Sequence, residues 1–320
     1  MASVTNLPWD QSTFIGRLNY YARVTDPRLV FVTNATLNKA KHIILANQKG
    51  IKLPHVTKEE AIRARVIYNS AIHPDNGVRM NMIGRLSAYM PCATILAGAL
   101  LTFYNPVRTM PQVIATQFVV QSYTATVNYT NRNAKSQTTG WQIATAYVGA
   151  TSGAVFVSVG LNSLLVKAPI LLKRWVPLAA VVAANCVNIP TMRQRELIDG
   201  IMVTDKDGNA LGESRRAAAK GIGEVLISRI FLVTPAMLLV PTIIQVLERR
   251  SMLKSGRVFL ICIQTLLSGF FMIVAVPIGC SLFPQQCSLR TDQLELSLQE
   301  DIKKKYDHPI PDRVYFNKGL

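Results

Sequence analysis

The sequence predicts an all-α fold: a polytopic helical membrane protein with about five transmembrane helices and a helical N-terminal region. Three observations point there. Of the 320 residues, 49% are hydrophobic and only 17% are charged, a composition short of charge for a soluble domain. Apolar stretches at 86–104, 143–165, 175–192, 222–247 and 258–283 reach or approach the ~20 residues that cross a bilayer. Residues 1–85 hold no such stretch and carry helix start and stop signals instead.

The first segment, MASVTNLPWDQSTFIGRL, lacks the apolar run of a secretory signal. Its scarcity of arginine and its Asp10 count against a cleaved presequence, so any organellar targeting is expected to be internal. Residues 36–48 form one helical candidate, stopped by Gly50 and Pro54. Thr57 and Glu60 make a capping box that opens a second helix over 58–71. His73, Pro74, Asp75, Asn76 and Gly77 then end it, with Asp75 or Asn76 suited to bonding backbone amides. The same HPD tripeptide sits between helices of J-domain cochaperones. Those domains continue into a soluble basic helix, whereas Arg85 here leads directly into an apolar segment.

Between the first two spans lies 111–127, which holds Gln112, Gln117 and Gln121 and reads either as an interfacial or cavity-lining helix or as a sixth span. It is followed by NYTNRNAKS, with Asn128, Asn131, Arg132, Asn133 and Lys135. This is either a capped, solvated loop or a pore mouth where Arg132 partners a carboxylate and the amides adapt to a ligand. The third span, WVPLAAVVAANCVNIPTM, is eighteen residues without a charge, yet Asn185 and Asn188 sit three apart and so share a helical face. Pro190 removes a donor and frees a carbonyl one turn back. Such amides either fasten helices together or line a polar stripe for a ligand. The segment 192–220, with DKDGN, reads as a solvent-exposed hairpin or loop. Glu224 and Arg229, five apart, open the fourth span as interfacial charges, and 284–320 is a C-terminal tail.

The net charge of +17 would point to nucleic acid in a soluble chain. Here the cations cluster in 1–85, at Lys167, Lys173 and Arg174, and at Arg249, Arg250, Lys254 and Arg257, with no aromatic-interleaved basic face, so no nucleic acid is expected. Twelve Lys and Arg stand against five Asp and Glu in 1–85, but six against six in 284–320. If five segments cross, the basic short loops fall on the N-terminal side and the termini face opposite ways. Of the cysteines at 92, 186, 262, 280 and 287, only the last two are close enough in sequence to suggest a disulfide. Phosphate-loop, HExxH and GxSxG motifs are missing, and the histidines at 42, 55, 73 and 308 lack metal-ligand spacing. No catalysis, cofactor or metal is expected.

HPDNG followed by IGRLSAYMP, then NYTNRN, AAVVAANCVNIPTMRQREL, GESRRAAA, SLFPQQC and VYFNKGL together resemble the sideroflexins, over about Pro8 to Leu320. The resemblance implies a multi-pass protein of the mitochondrial inner membrane without a cleaved presequence. It would carry serine and other small neutral amino acids for one-carbon metabolism, with links to iron and haem homeostasis. The positions it matches are His73, Pro74 and Asp75, Asn128, Asn131 and Asn133, and Asn185, Asn188 and Pro190; Asn76 replaces the family's usual threonine. The serine carboxylate is expected to face a helix N-terminus or Arg132, and the ammonium freed carbonyls or Asp75. A non-transporting scaffold or assembly factor that binds a matrix partner or an anionic lipid such as cardiolipin is the alternative.

Overall fold

The computed structural model describes residues 8–51, 53–73, 77–103, 110–131, 139–165, 167–250, 257–305 and 311–319. Three α-helices come first: α1 (Phe14–Val24), α2 (Asn34–Gln48) and α3 (Lys58–Ala71). Each starts on a threonine whose hydroxyl accepts an orphan amide, Thr13 from Gly16, Thr33 from Thr36 and Thr57 from Glu60. At Thr57 the Glu60 carboxylate reaches back to the Thr57 amide, the reciprocal capping box expected from sequence. Leu37, Ala40 and Ile43 of α2 pack on Ala64, Ile67 and Ala71 of α3.

Six long helices follow: α4 (Leu86–Phe103), α5 (Met110–Thr130), α6 (Gly140–Leu164), α8 (Val176–Met192), α10 (Arg215–Arg249) and α11 (Arg257–Ser281). The short α7 (Ile170–Arg174) and α9 (Gln194–Asp199) flank α8. Each of the five apolar stretches marked in the sequence falls on one of these helices. Four described helical segments are long and apolar enough to cross a membrane, and Leu86–Thr102 is a shorter apolar helix. The chain is thus an all-helical polytopic membrane protein with one small sheet. Prolines lie inside α4, α8, α10 and α11 (Pro91, Pro190, Pro235, Pro241 and Pro277), as membrane helices allow.

Named contacts fix the direction of each helix. Gly84 lies against Thr130 and Tyr89 against Tyr123, so α4 and α5 are antiparallel. Ser122 meets Tyr147 and Gln117 meets Ser158, which sets α5 against α6. Val187 packs on Gly149 while Val176 packs on Leu161, which sets α6 against α8. Trp175 Nε1 donates to the Leu238 carbonyl and Ile189 packs on Ile222 and Val225, which sets α8 against α10. Thr94 meets Gly269 and Gly98 meets Thr265, which sets α4 against α11.

The start of α4 and the end of α11 therefore share one end of the bundle, and Arg17 Nε of α1 donates to the Ser281 carbonyl there at 2.9 Å. This overturns the expectation of opposite-facing termini. The basic residues after α6 and α10 sit at the other end, where Arg174 pairs with Glu248 at 2.7 Å, and not on the N-terminal side. The physical reason is α5. Because α4 and α6 run the same way, α5 must return the chain between them.

The segments read as an exposed hairpin and a tail form one subdomain. β1 (Ile201–Thr204) and β2 (Ala210–Ser214) make the hairpin, closed by Asp205, whose Oδ1 accepts the Asp207 and Asn209 amides. After α11 come β3 (Gln286–Arg290), α12 (Leu296–Lys305) and β4 (Arg313–Asn317), giving an antiparallel sheet ordered β2-β1-β4-β3. Val203, Leu211, Leu289, Val314 and Phe316 bury its inner face against Leu294, Leu298 and Ile302. The hairpin is not a free solvent loop, because β4 pairs with β1 and that core covers one of its faces.

Glu295 ties the subdomain to α10. Its carboxylate accepts the Arg216 amide at 2.8 Å and the Ser214 hydroxyl at 2.9 Å, while Ser214 Oγ caps the Ala217 amide. Burial alone would raise its pKa, but the Arg216 amide and these other donors bring it below the usual carboxylate value. Stability from this carboxylate is present above the unfolded glutamate's pKa and is lost as pH falls through the lower folded value. The loss of thermal stability of the detergent-solubilised protein between pH 6 and pH 3 is therefore expected to be shallower in Glu295→Gln than in the native chain.

Candidate functional site

Residues 117, 121 and 128 of α5, with 131 just after it, recur at helical spacing and form one polar stripe. The stripe faces inward, with Gln117 at 0% exposure and Gln121 also buried. Gln117 Nε2 donates to Ser158 Oγ of α6 at 3.4 Å, leaving Gln117 Oε1 buried with no hydrogen-bond partner. Further along, Asn128 Nδ2 donates to Asn188 Oδ1 of α8 in a short hydrogen bond. Asn188 is 1% exposed. Small residues let the helices close on this seam: Ala150 and Ala154 of α6 pack on Ala184 of α8, and Gly149 and Gly153 meet Val187.

The asparagines expected to act alike thus divide. Asn128 and Asn188 join two helices inside the bundle. Asn185 instead donates to the Val181 carbonyl of its own helix at 3.0 Å. Asn131 donates to the Gly84 carbonyl at 2.7 Å and to the Val127 carbonyl at 2.8 Å, fastening the end of α5 to the turn before α4. Pro190 is half-buried within α8. Arg132 and Asn133 lie outside the described residues, as do Pro74, Asp75 and Asn76. His73 is buried at the end of α3, where its amide donates to the Val78 carbonyl and its carbonyl accepts the Gly77 amide.

At the end of the bundle that carries the termini, buried cations sit on backbone carbonyls. Arg85 donates to the Met80 carbonyl, Arg17 to that of Ser281 and Lys318 Nζ to that of Phe283 at 3.1 Å. Arg17 and Lys318 thereby cover the negative end of α11, where orphan carbonyls and the helix dipole favour cations. Lys318 is only 4% exposed, and burial lowers its pKa. Sequence reasoning missed Arg17 and Lys318, because each lies far along the chain from the carbonyl it meets. Gln117 and Gln121 were legible as polar groups on an apolar helix, though the bond of Gln117 to α6 was not.

All five cysteines are free, so the Cys280–Cys287 disulfide does not form. Cys287 Sγ instead donates to Glu224 Oε2 at 2.8 Å, and burial together with that carboxylate pushes its thiol up to about 12. Cys287 is expected to resist maleimide at pH 7.5 until the protein is denatured, with mass spectrometry of the labelled peptide as the check. Among the described residues, no group of three or more His, Cys, Asp or Glu could hold a metal ion.

Comparison with known proteins places this architecture. The Sideroflexins family model matches residues 3–320. Sideroflexin-2 of Bos taurus and sideroflexin-2 of Homo sapiens are each 50% identical over 312 residues, covering 98% of this chain and 96% of the relative. Sideroflexin-1 of Homo sapiens is 47% identical over 98% of this chain and 95% of its own length. No solved structure matches. On a family match that runs through every helix of the bundle and through the sheet at its end, this chain belongs to the sideroflexin family.

Proposed function

We propose that the chain transports serine and other small neutral amino acids across the mitochondrial inner membrane, feeding one-carbon metabolism. One observation carries the reading: an amide seam of buried Gln117, Gln121 and Asn188 with half-buried Asn128, on helices without acidic residues. Amides offer both donors and acceptors without a fixed charge, which suits a net-neutral zwitterion better than an ion. Helix α5 is itself read as a crossing. Its 21 residues span about 31 Å, close to the ~30 Å of a bilayer core. Asn128 and Asn188 are assigned to the substrate path, and Asn131 and Asn185, bonded to backbone carbonyls, to helix fastening. Pro190, Arg132, Asn133 and the His73 to Asn76 turn stay as candidate contributors at the mouth.

Purified protein in proteoliposomes tests this. Labelled L-serine, alanine, citrate and ferrous iron are offered in parallel, with empty liposomes as baseline. Saturable uptake of the two amino acids alone is the expected result. The scaffold alternative, which rests on the same amides knitting helices together, predicts no uptake of any of them. Effects on iron and haem are read as indirect consequences of amino-acid supply, and contacts to an anionic lipid such as cardiolipin as support for the bundle.

A further inference from the structure

Across α4, α5, α6 and α8, across α10 between Glu224 and Glu248, and across α11 after Arg257, one residue carries a formal charge at neutral pH: Arg229. The α8–α10 register places it in depth. Leu238 faces Trp175 at the start of α8, and Ile222 and Val225 face Ile189 near its end, so Arg229 lies level with the middle of α8. Tyr89 in the first turn of α4, and Gly279 near the end of α11, which meets the Ser228 carbonyl, set it toward the end that carries the termini. It is half-buried, and its guanidinium lies 5.8 Å from the centroid of the Tyr89 ring of α4. The Tyr89 ring in turn lies 6.2 Å from that of Tyr123 of α5. Among the described residues, no carboxylate lies within 4.0 Å of Arg229.

A hydroxyl of this stack is also unsatisfied: Tyr123 Oη is buried without a hydrogen-bond partner. A half-buried cation without a counter-ion and an unbonded phenol in the same stack are each unfavourable alone. A single carboxylate satisfies both, since a guanidinium grips it through paired N–H donors and hydroxyls donate to its oxygens.

We propose that Arg229 is the anchor for the substrate carboxylate, with the Tyr123 hydroxyl as a second donor. This rests on the amino-acid transport reading and names how that substrate is held. Arg229 thus takes the role the sequence had given to Arg132.

Serine uptake into proteoliposomes by the native protein, Arg229→Met, Arg229→Lys and Tyr123→Phe tests it, with monodispersity on gel filtration as the folding check. Binding is read in parallel as the thermal shift given by L-serine or by serinamide, which lacks the carboxylate. Arg229→Met is expected to lose roughly 10- to 100-fold in kcat/KM, as fits removal of one charge-assisted contact. Arg229→Lys should raise KM with less effect on kcat, and Tyr123→Phe should raise KM about 3- to 10-fold, as fits loss of one hydroxyl donor. Native protein should be stabilised by L-serine and not by serinamide.

A folded Arg229→Met that takes up serine within twofold of native overturns the inference. If Arg229→Met does not fold, an unchanged KM in Arg229→Lys and Tyr123→Phe overturns it equally, and a raised KM in both supports it. If native protein transports nothing, the transport reading fails by itself. The anchor is then decided by the thermal shift: serine-specific stabilisation lost in the Arg229 variants supports it, and equal shifts from serine and serinamide overturn it.

Discussion

Truncation after Asp312 is expected to abolish recovery of monodisperse protein from detergent. The lost segment includes β4, one of the two interior strands, which holds β1 on one side and β3 on the other. Val314 and Phe316 are almost completely buried in the subdomain core. Burying side chains of this size stabilises by about 1.5–3 kcal/mol each. Their loss, two new unpaired strand edges and the loss of Lys318 from the end of α11 together rival a typical stability of ~5–15 kcal/mol. Phe316→Ala is the graded version, with an expected cost of about 3–5 kcal/mol. A thermal melt of each variant followed by intrinsic fluorescence makes the measurement. A truncated chain that melts with the native protein would show that the sheet is not coupled to the bundle.

The second large effect is at the Asn128–Asn188 pair. Changing Asn188 alone to leucine leaves the half-buried Asn128 amide without its acceptor, a loss of about 1 kcal/mol. Changing both to leucine removes donor and acceptor together, and apolar replacement of a whole buried polar pair is close to neutral. Stability should therefore fall in the single variants and recover in the double variant, a coupling that a double-mutant cycle reads directly. Transport should not recover, because the ligand loses both amides. This divergence separates a substrate path from helix glue, for which stability and activity would move together.

The helical part of the fold was legible because its determinants are local. Eighteen to twenty-five apolar residues announce a span wherever they occur, and Thr57 with Glu60 announced α3 to the residue. The sheet was hidden for the opposite reason. β1 meets β4 across more than a hundred residues, and strands of four or five residues carry too few alternations to stand out between polar turns. Helix direction was misread because charge counting weighed five spans and left the Gln-bearing α5 undecided. One uncertain helix reverses the side of everything after it. At the site, the amides of α8 were visible as polar groups out of place in an apolar run. Which of them faces another helix depends on packing: Asn188 reaches Asn128 while Asn185 bonds Val181 one turn behind. Arg229 was read as interfacial, and its contact with Tyr89 in the first turn of α4 agrees with that; what the sequence did not show is that the partner is an aromatic ring of another helix.

Initial rates of labelled L-serine uptake into proteoliposomes, native protein beside the folded Asn128→Leu/Asn188→Leu double variant, bear most directly on whether the amide-lined bundle passes a zwitterion. Native uptake that saturates, with a loss of at least about tenfold in a double variant of near-native thermal stability, is the predicted result. Native rates in that variant would contradict a substrate path through Asn128 and Asn188.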